Sequence, residues 1–219
     1  NPPLLKGANQ VFLVGAIRES PEKGIYLVGG NFKMATNTII ILGGGAGGIV
    51  CANKLRKKLA GTHKIILIDK NENYLFQPSL LWLIMGWRTP EQIQRPFKLL
   101  NKKGIEFIQA EVEEIDTKNR LVKASGKNLN YDYLIVSLGV ELNTSVIPKT
   151  DKIFNFYCLE GAKDTKEAIN NFKGGKIAIL ISSMPFKCPA APYEMALLLD
   201  YFFRKKNLRN KIDIQIFTP

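Results

Sequence analysis

The residues whose types and spacing most clearly indicate chemistry are a cluster of glycines, Gly43–Gly48, interrupted only by Ala46. Gly43, Gly45 and Gly48 have the GxGxxG spacing with which a backbone free of Cβ atoms cradles a pyrophosphate. In that arrangement the first glycine makes a tight turn, the second lets phosphates approach, and the third lets the next helix pack closely on the strand. An ordinary strand-to-helix turn is the alternative, because glycine-rich loops also occur there.

The elements on both sides of the glycines are those that such a site needs. The apolar run 38–42 predicts a buried strand, and a second apolar run, 64–68, ends in Asp69. A carboxylate about 20 residues beyond the loop is placed to accept hydrogen bonds from ribose hydroxyls. Between the two runs, apolar residues at roughly helical spacing predict a helix, namely Ile49, Val50, Leu55 and Leu59. The sequence therefore predicts a βαβ unit that binds a dinucleotide at its first turn.

The thiols of the sequence are Cys51, Cys158 and Cys188. Three cysteines do not make a disulfide framework, and no CxxC pair indicates zinc. The sequence holds one histidine, His63, so no metal site is expected. Because the sequence also shows no convincing signal peptide, a reducing, cytoplasmic setting is predicted.

The charge balance is strongly basic, at +12 over 219 residues. The basic residues fall into small groups, at 54–58 and 204–209, without an arrangement of base-stacking aromatic residues. A solvated basic surface is therefore the preferred interpretation, and no nucleic-acid partner is expected. Attraction to anionic lipid headgroups is the second interpretation. No window of the sequence reaches the roughly 18 consecutive apolar residues of a membrane-spanning helix.

Beyond the first unit, the pattern predicts further strands and then a second βα unit. The stretch through 75–88 is expected to be irregular, and 144–151 to be a linker. Short strands are expected at 105–109, 111–116 and 121–123, a buried strand at 131–136, a strand at 176–181, a helix from about Pro192, and a last strand at 212–217.

Four segments occur in a distinctive order: the glycine loop with Asp69, MGWR at 85–88, YDYLIVSLG at 131–139 and FKCPAAPYE at 186–194. Together they resemble the sulfide:quinone oxidoreductase family and its relative, the flavoprotein subunit of flavocytochrome c sulfide dehydrogenase. The first and third segments are shared by flavoproteins with two dinucleotide-type domains, whereas the second and fourth are more specific. The resemblance runs from about residue 34 to residue 219, roughly the N-terminal half of a family member.

The resemblance implies an α/β fold in which a Rossmann-like FAD-binding domain precedes the start of a second Rossmann-like domain. The first domain would be a parallel sheet with a small antiparallel strand insert. It would span residues 34–148, and the second, carrying the redox cysteine, would span 149–219. Residues 1–33 are left as an extension of unknown role, within which 11–14 and 25–28 could form a hairpin. Because its last sheet ends one strand after a crossover, the chain is expected to be truncated.

Carried over residue by residue, the resemblance implies FAD in the first site. The glycine loop would hold the pyrophosphate, Asp69 the ribose, and the backbone around Ala110 and Val112 would meet the adenine. Gln77 and Pro78 would lie near the isoalloxazine. The implied cofactor-binding set is Gly43, Gly44, Gly45, Ala46, Gly47, Gly48, Asp69, Lys70, Gln77, Pro78, Ala110, Val112 and Gly139, the last of which would close the site.

The second βα turn differs from that of flavin enzymes reduced by NAD(P)H, which carry another GxGxxG there. Here the turn, 181–189, has no glycine, and Pro185 and Pro189 remove backbone donors that an anion needs. Cys188 stands in the turn instead, and a thiolate can exchange with other sulfur atoms. A small buried apolar residue is the alternative for Cys188.

The resemblance also gives roles to two further residues. Cys158 resembles a third cysteine of many family members, and core packing is the expectation for Cys51. Glu194 resembles a family acid that moves protons near the flavin, with a helix N-terminal charge as the alternative. The second redox cysteine of the family lies in its C-terminal half, so these residues alone are expected to be inactive.

The function predicted is that of an FAD-dependent oxidoreductase that oxidises sulfide through a cysteine near the flavin and passes electrons to quinone. The alternative enzymes are a flavocytochrome c-type sulfide dehydrogenase flavoprotein and an NAD(P)H:quinone reductase. A non-catalytic nucleotide- or nucleic-acid-binding module is the alternative from another class. The predicted location is the cytoplasm, with peripheral attachment to an anionic membrane surface and homo-oligomer formation left open.

Overall fold

The computed structural model describes residues 36–140, 142, 150, 152–182, 184 and 186–219. The predicted extension 1–33, its hairpin, and most of the predicted linker 144–151 lie outside these residues. The strands are β1 (Thr38–Leu42), β2 (Lys64–Asp69), β3 (Asn73–Leu75), β4 (Gln94–Pro96), β5 (Glu106–Gln109), β6 (Val112–Asp116), β7 (Leu121–Ala124), β8 (Lys127–Asn130), β9 (Tyr133–Val136), β10 (Gly175–Leu180) and β11 (Ile212–Phe217). The α-helices are α1 (Ala46–Lys58), α2 (Leu80–Ile84), α3 (Pro90–Ile93), α4 (Leu159–Asn171) and α5 (Ala191–Lys205), and 3₁₀ helices span Gln77–Ser79, Phe97–Lys103 and Arg209–Lys211.

The described residues divide into two compact units. The first unit contains 36–75 and 95–142, and the second contains Phe76–Gln94 and the residues from 150 onward. The division predicted from the sequence, 34–148 against 149–219, differs because Phe76–Gln94 groups with the later part of the chain.

The first unit is built on a parallel sheet with the strand order β5-β2-β1-β9. Its central strands are continuously apolar because both of their faces are covered. Ile39 and Ile41 pack in a cluster with Ala52 of α1, whereas Ile40 and Leu42 pack in a cluster with residues of β7. The run of isoleucines therefore supplies two cores, one under the helix and one under the antiparallel strands. Of the helix positions named from spacing, Val50 is exposed, and Ile49, Leu55 and Leu59 pack on the core.

The antiparallel insert consists of β6, β7 and β8 in that order. The strand predicted at 105–109 is β5, and it extends the parallel sheet beside β2 instead of standing among the small strands. β8 was not predicted, because KNLN has one apolar residue and shows no alternation that stands out from a turn.

The second unit contains a parallel pair, β10 and β11, joined through α5. Met195, Leu199 and Phe203 form the buried face of α5, and Pro192 lies in its first turn as predicted. The stretch expected to be irregular is mostly ordered, because it contains the 3₁₀ helix Gln77–Ser79 and α2. Four apolar side chains of α2 are buried, and this helix packs against α4. The sequence predicts neither α4 nor this contact.

The structure confirms the predicted fold class, a Rossmann-like parallel sheet with an antiparallel insert followed by a second βαβ unit. Within the part of the chain that the structure describes, every helix is too short or too polar to cross a membrane.

Candidate functional site

In the first unit, the carboxyl ends of three strands meet around the glycine loop. The Gly43 N–H donates to the Ile68 carbonyl at 2.8 Å, and the Ser137 N–H donates to the Leu42 carbonyl at 2.8 Å. β1, β2 and β9 therefore deliver the glycine loop, Asp69 and Ser137 to one edge of the sheet. Ligands of open α/β sheets bind outside this edge.

Two glycines of the loop are required by close contacts within the protein. Gly43 has a φ of +94°, and a Cβ added there would overlap the Ser137 carbonyl oxygen. A Cβ on Gly48 would overlap the Gly43 carbonyl oxygen, so α1 begins as close to β1 as a backbone allows. A third glycine, Gly44, leaves room for the Phe97 ring, a contact that the motif does not indicate.

Gly45 differs from these glycines because a Cβ added to it would meet no protein atom within 4 Å. Its backbone, with φ −66° and ψ −172°, is extended and suits any residue. Open space therefore lies over the loop where the motif places a phosphate. The first turn of α1 carries no acidic residue, and its N–H groups and dipole favour an anion there.

Asp69 holds the loop from the end of β2. One carboxylate oxygen, Oδ2, accepts the Gly44 N–H at 2.6 Å. The other, Oδ1, accepts the backbone N–H of Asn71 at 2.8 Å and its side-chain amide at 2.9 Å. Since a carboxylate offers about four acceptor sites, capacity remains for a hydroxyl group.

Ser137, to which no sequence motif gives a role, fixes the loop from the end of β9. Its hydroxyl lies 3.0 Å from each of two carbonyl oxygens, those of Leu42 and Gly43, and donates to this pair. The position of a serine directly after the apolar run Tyr133–Val136 is the signal that could have pointed to it.

Four further residues of the predicted cofactor-binding set, Lys70, Ala110, Val112 and Gly139, lie in the same unit. The Ala110 N–H donates to the Asp69 carbonyl at 3.0 Å, and Val112 begins β6. Lys70 is exposed, and its carbonyl accepts the side-chain amide of Gln109. Gly139, with a φ of +73°, follows β9. Around the open space at Gly45, the loop and the Asp69 carboxylate fit the pyrophosphate and ribose of FAD.

The second unit presents Cys188 as an exposed thiol. Its φ of +53° lies in the left-handed region, where a residue with a Cβ is strained by about 1–2 kcal/mol. The Cys188 carbonyl accepts the Ala191 N–H at 3.0 Å and the Tyr157 hydroxyl at 3.4 Å. An exposed side chain on a strained turn does not fit the alternative of a buried apolar residue.

A hydrogen bond links the Cys188 turn to the residues predicted near the isoalloxazine. The Lys187 ammonium donates to the Gln77 side-chain oxygen at 2.6 Å, and Pro78 follows Gln77 in the same 3₁₀ helix. The structure thus places Gln77, Pro78 and Cys188 in one compact unit, whereas the sequence prediction has Gln77 and Pro78 in the first domain.

Cys158 and Glu194 both lie at helix N-termini. Cys158 is exposed, is the N-cap residue of α4, and its thiol donates to the Asn155 carbonyl at 3.4 Å. Glu194 is exposed in the first turn of α5, which agrees with a charge that stabilises the helix. The position of Glu194 fits both roles considered for it, and the Cys158 thiol is exposed.

Tyr157, beside Cys158 in sequence, is a residue that sequence reasoning missed. Partial burial raises its pKa, and the negative charge of an ionised Cys188 raises it further. Its hydroxyl therefore stays protonated and keeps donating to the Cys188 carbonyl at ordinary pH. By contrast, Cys51 packs beside the core of the first unit, and burial raises the pKa of its thiol.

A surface cavity of about 640 Å³ in the first unit lies at the opposite edge of the sheet, near the start of β2. Its charged groups already have protein partners: Arg56 donates to the carbonyls of Leu59, Ala60 and His63, and Lys64 pairs with Glu106 at 2.9 Å. We assign this cavity to the capping of α1, not to ligand binding.

The parallel sheet, its glycine loop and the carboxylate after β2 define a dinucleotide-binding domain of the Rossmann type. The family model described as pyridine nucleotide-disulphide oxidoreductase matches residues 37–180, and the chain belongs to this family. A second model, for the central part of the flavoprotein chain of flavocytochrome c sulfide dehydrogenase, matches residues 164–216.

The chain is also similar in sequence to individual proteins. The chain is 32% identical over 183 residues to the sulfide-quinone reductase of Aquifex aeolicus (strain VF5), covering 82% of this chain and 42% of that protein. It is 27% identical over 186 residues to the mitochondrial sulfide:quinone oxidoreductase of Mus musculus, covering 80% and 40%.

The solved structure of the sulfide:quinone oxidoreductase from the hyperthermophilic bacterium Aquifex aeolicus superposes with a TM-score of 0.75 at 31% identity, covering 83% of this chain and 43% of that one. The chain thus spans about two fifths of the length of the curated relatives it matches. These matches confirm the predicted resemblance, the FAD-dependent oxidoreductase class and FAD as the cofactor.

Proposed function

We propose that the protein oxidises sulfide at Cys188 and passes the electrons through FAD to quinone at an anionic membrane surface. The observation that carries this proposal is the exposed, strained Cys188 in a glycine-free turn, at the place where a second dinucleotide loop would otherwise stand. The similarity to sulfide:quinone oxidoreductases of bacteria and mitochondria supports it.

The same turn argues against a nicotinamide nucleotide as the electron donor. A pyrophosphate needs bare backbone and free N–H groups, as the first loop provides. In the second turn Pro189 offers no N–H, and residues with side chains, among them the 65% exposed Met184, replace the glycines. The second turn therefore exposes side chains where the first loop exposes its backbone.

In the proposed step, hydrosulfide attacks the Cys188 sulfur of a disulfide that Cys188 forms with a second cysteine of the full-length protein. A new S–S bond leaves a persulfide on Cys188, while the old S–S bond breaks and the second cysteine departs as a thiolate with the electron pair. FAD, when bound, supplies the acceptor for two electrons. Glu194 is the proposed proton acceptor, and Tyr157 and Lys187 hold the Cys188 turn in place.

A second candidate shares this cysteine chemistry and differs in the acceptor. The match of residues 164–216 to the flavocytochrome c sulfide dehydrogenase flavoprotein favours transfer to a cytochrome. Reduction of a quinone analogue, compared with reduction of cytochrome c under the same sulfide supply, distinguishes the two acceptors.

The proposal is tested by titrating the full-length gene product anaerobically with sulfide and, separately, with NADH while the flavin absorbance is recorded. Sulfide should bleach the flavin and NADH should not. In Cys188→Ser the rate of bleaching by sulfide should fall on the order of 10³-fold or more, because the sulfur atom that hydrosulfide attacks is lost.

Two cysteine variants serve as controls. Cys51→Ala removes a thiol that packs beside the core of the first unit and should leave the sulfide reaction unchanged. Cys158→Ser tests the second exposed thiol separately. Bleaching by sulfide that is undiminished in Cys188→Ser removes Cys188 from the mechanism, and rapid bleaching by NADH contradicts the proposed donor.

A further inference from the structure

Three exposed aromatic rings form a continuous group on the second unit, which we call the aromatic patch: Trp82, Trp87 and Tyr201. Trp82 is 39% exposed, Trp87 46% and Tyr201 48%. The Trp82 and Trp87 ring centroids lie 6.5 Å apart, and those of Trp87 and Tyr201 lie 6.0 Å apart, in edge-to-face arrangements. Rings of this size are normally buried, so a connected group in solvent indicates a contact surface.

Cations stand at both ends of the aromatic patch. The Arg88 guanidinium lies 5.1 Å from the Trp82 ring centroid, and the Lys205 ammonium lies 5.6 Å from that of Tyr201. Asp200, an acid on the same helix as Tyr201, is paired with Arg204 and Arg209, which lower its pKa. The surroundings of the rings are therefore basic, in keeping with the net charge of +12.

The patch continues along α5 as a stripe. Tyr193 and Leu197 precede Tyr201 at intervals of four residues, so all three side chains lie on one side of the helix. Tyr193 is 52% exposed and Leu197 is 72% exposed. The opposite side of α5, with Leu199 and Phe203, is buried in the unit, so the exposed stripe is not needed for the core.

We infer that the aromatic patch, with Arg88 and Lys205, is the surface by which the protein lies on an anionic lipid headgroup layer. Indole and phenol rings occupy the boundary between headgroups and acyl chains, because each has an apolar body and a polar group. Lysine and arginine beside them are attracted to the negative surface of the membrane. Charge complementarity thus favours an anionic lipid surface over a second copy of this basic chain.

This inference extends the proposed membrane attachment by naming its residues, and it does not depend on the sulfide chemistry. Both tryptophans of the 219 residues belong to the patch, so the part of the tryptophan emission that Trp82→Phe/Trp87→Phe removes reports on it. The full-length gene product should be mixed with vesicles of phosphatidylcholine, with or without phosphatidylglycerol. With the anionic vesicles the emission should shift to the blue and be quenched by brominated acyl chains. Trp82→Phe/Trp87→Phe should remove most of the shift and most of the quenching, and this difference assigns them to the patch.

Partition coefficients from vesicle sedimentation measure how much each pair of residues contributes to membrane binding. Arg88→Gln/Lys205→Gln should weaken binding to anionic vesicles roughly 30-fold, since each cation contributes about 1 kcal/mol near such a surface. Lys57→Gln/Lys58→Gln removes the same charge from exposed positions at the end of α1 and should change binding by less than about threefold. Trp82→Ser/Trp87→Ser should weaken binding more than either, and all these side chains are exposed, so folding should be retained.

Each other outcome overturns the inference. Equal weakening by the two charge pairs shows that overall charge, not the patch, binds the membrane. Tryptophans already protected from a soluble quencher without lipid show that another part of the protein or a second copy covers the patch. If no variant alters binding, or the unaltered protein does not bind anionic vesicles, the patch is not the attachment surface. The titration with sulfide is independent of each of these results.

Discussion

The two strand-to-helix turns of the molecule, after β1 and after β10, both follow a strand of a parallel sheet, but they expose different chemical groups. After β1 the chain has no side chain at Gly43, Gly44 or Gly45, and the space at Gly45 is open. After β10 the chain has prolines, an exposed methionine and Cys188 on a left-handed backbone. One turn offers N–H groups to an anion, and the other offers a sulfur atom to solvent. The comparison shows how a repeated structural unit changes its chemistry through the residues of one turn.

The two turns also differ in how firmly they are held. The first is tied by Asp69 to the Gly44 N–H and by Ser137 to the end of β1. The second is tied by side chains from two other segments, Tyr157 and Gln77.

Gly48→Ala should destabilise the protein strongly, whereas Gly45→Ala should not. The added methyl at Gly48 overlaps the Gly43 carbonyl, so the free energy of unfolding should fall by roughly 3 kcal/mol, even though alanine favours helices. At Gly45 the methyl meets no protein atom and should change stability by less than about 0.5 kcal/mol. It should nevertheless weaken FAD binding, since it fills the space left for a phosphate.

Urea unfolding of the flavin-free variants and flavin release from the loaded ones measure these two effects. A Gly45→Ala variant that binds FAD normally would show that the open space over the loop is not used by the cofactor.

Asp69→Ala should weaken FAD binding about 10- to 100-fold. Its carboxylate organises the loop through a charge-assisted hydrogen bond, a type that contributes about 1.5–3 kcal/mol. Asp116→Ala is the matched control, because Asp116 also accepts three hydrogen bonds within its own turn, at the β6–β7 hairpin. Equilibrium titration of the flavin-free protein with FAD gives both affinities, and equal losses would contradict a specific role for Asp69.

Cys188→Gly should abolish the sulfide reaction while leaving the fold as stable or more stable, by up to about 1 kcal/mol. Glycine accepts a φ of +53° without strain, although it also gains freedom in the unfolded chain. Cys188→Ala keeps the strain and should show no such gain. Thermal unfolding of the two variants measures the difference, and a less stable glycine variant would show that the turn is not strained.

The elements of the first site could be predicted because each has a local cause. The strands at 38–42 and 64–69 are apolar throughout their centres, since both faces of the sheet are covered. Between two such strands the glycine spacing favours a nucleotide-binding loop over an ordinary turn, and Pro192 marks the start of α5 for a steric reason.

The features that were missed depend on contacts between distant residues. No local pattern in Phe76–Gln94 indicates that α2 packs against α4, so the sequence groups this segment with residues 34–148, whereas the structure groups it with the later residues. Ser137 acts through two carbonyl groups more than ninety residues away. Tyr157 reaches the Cys188 turn across 31 residues. Periodicity finds strands and helices, but it does not say which loop a hydroxyl group will reach.

The Ser137 hydroxyl has a consequence for the order of events when the cofactor arrives. Because β9 already holds the glycine loop in shape, little further ordering is needed when a nucleotide is captured. The nucleotide-binding surface therefore has its final shape once β9 has paired with β1. A substitution that loosens β9 should therefore first cause a slow loss of bound flavin, seen as fading of the yellow colour, well before the domain unfolds.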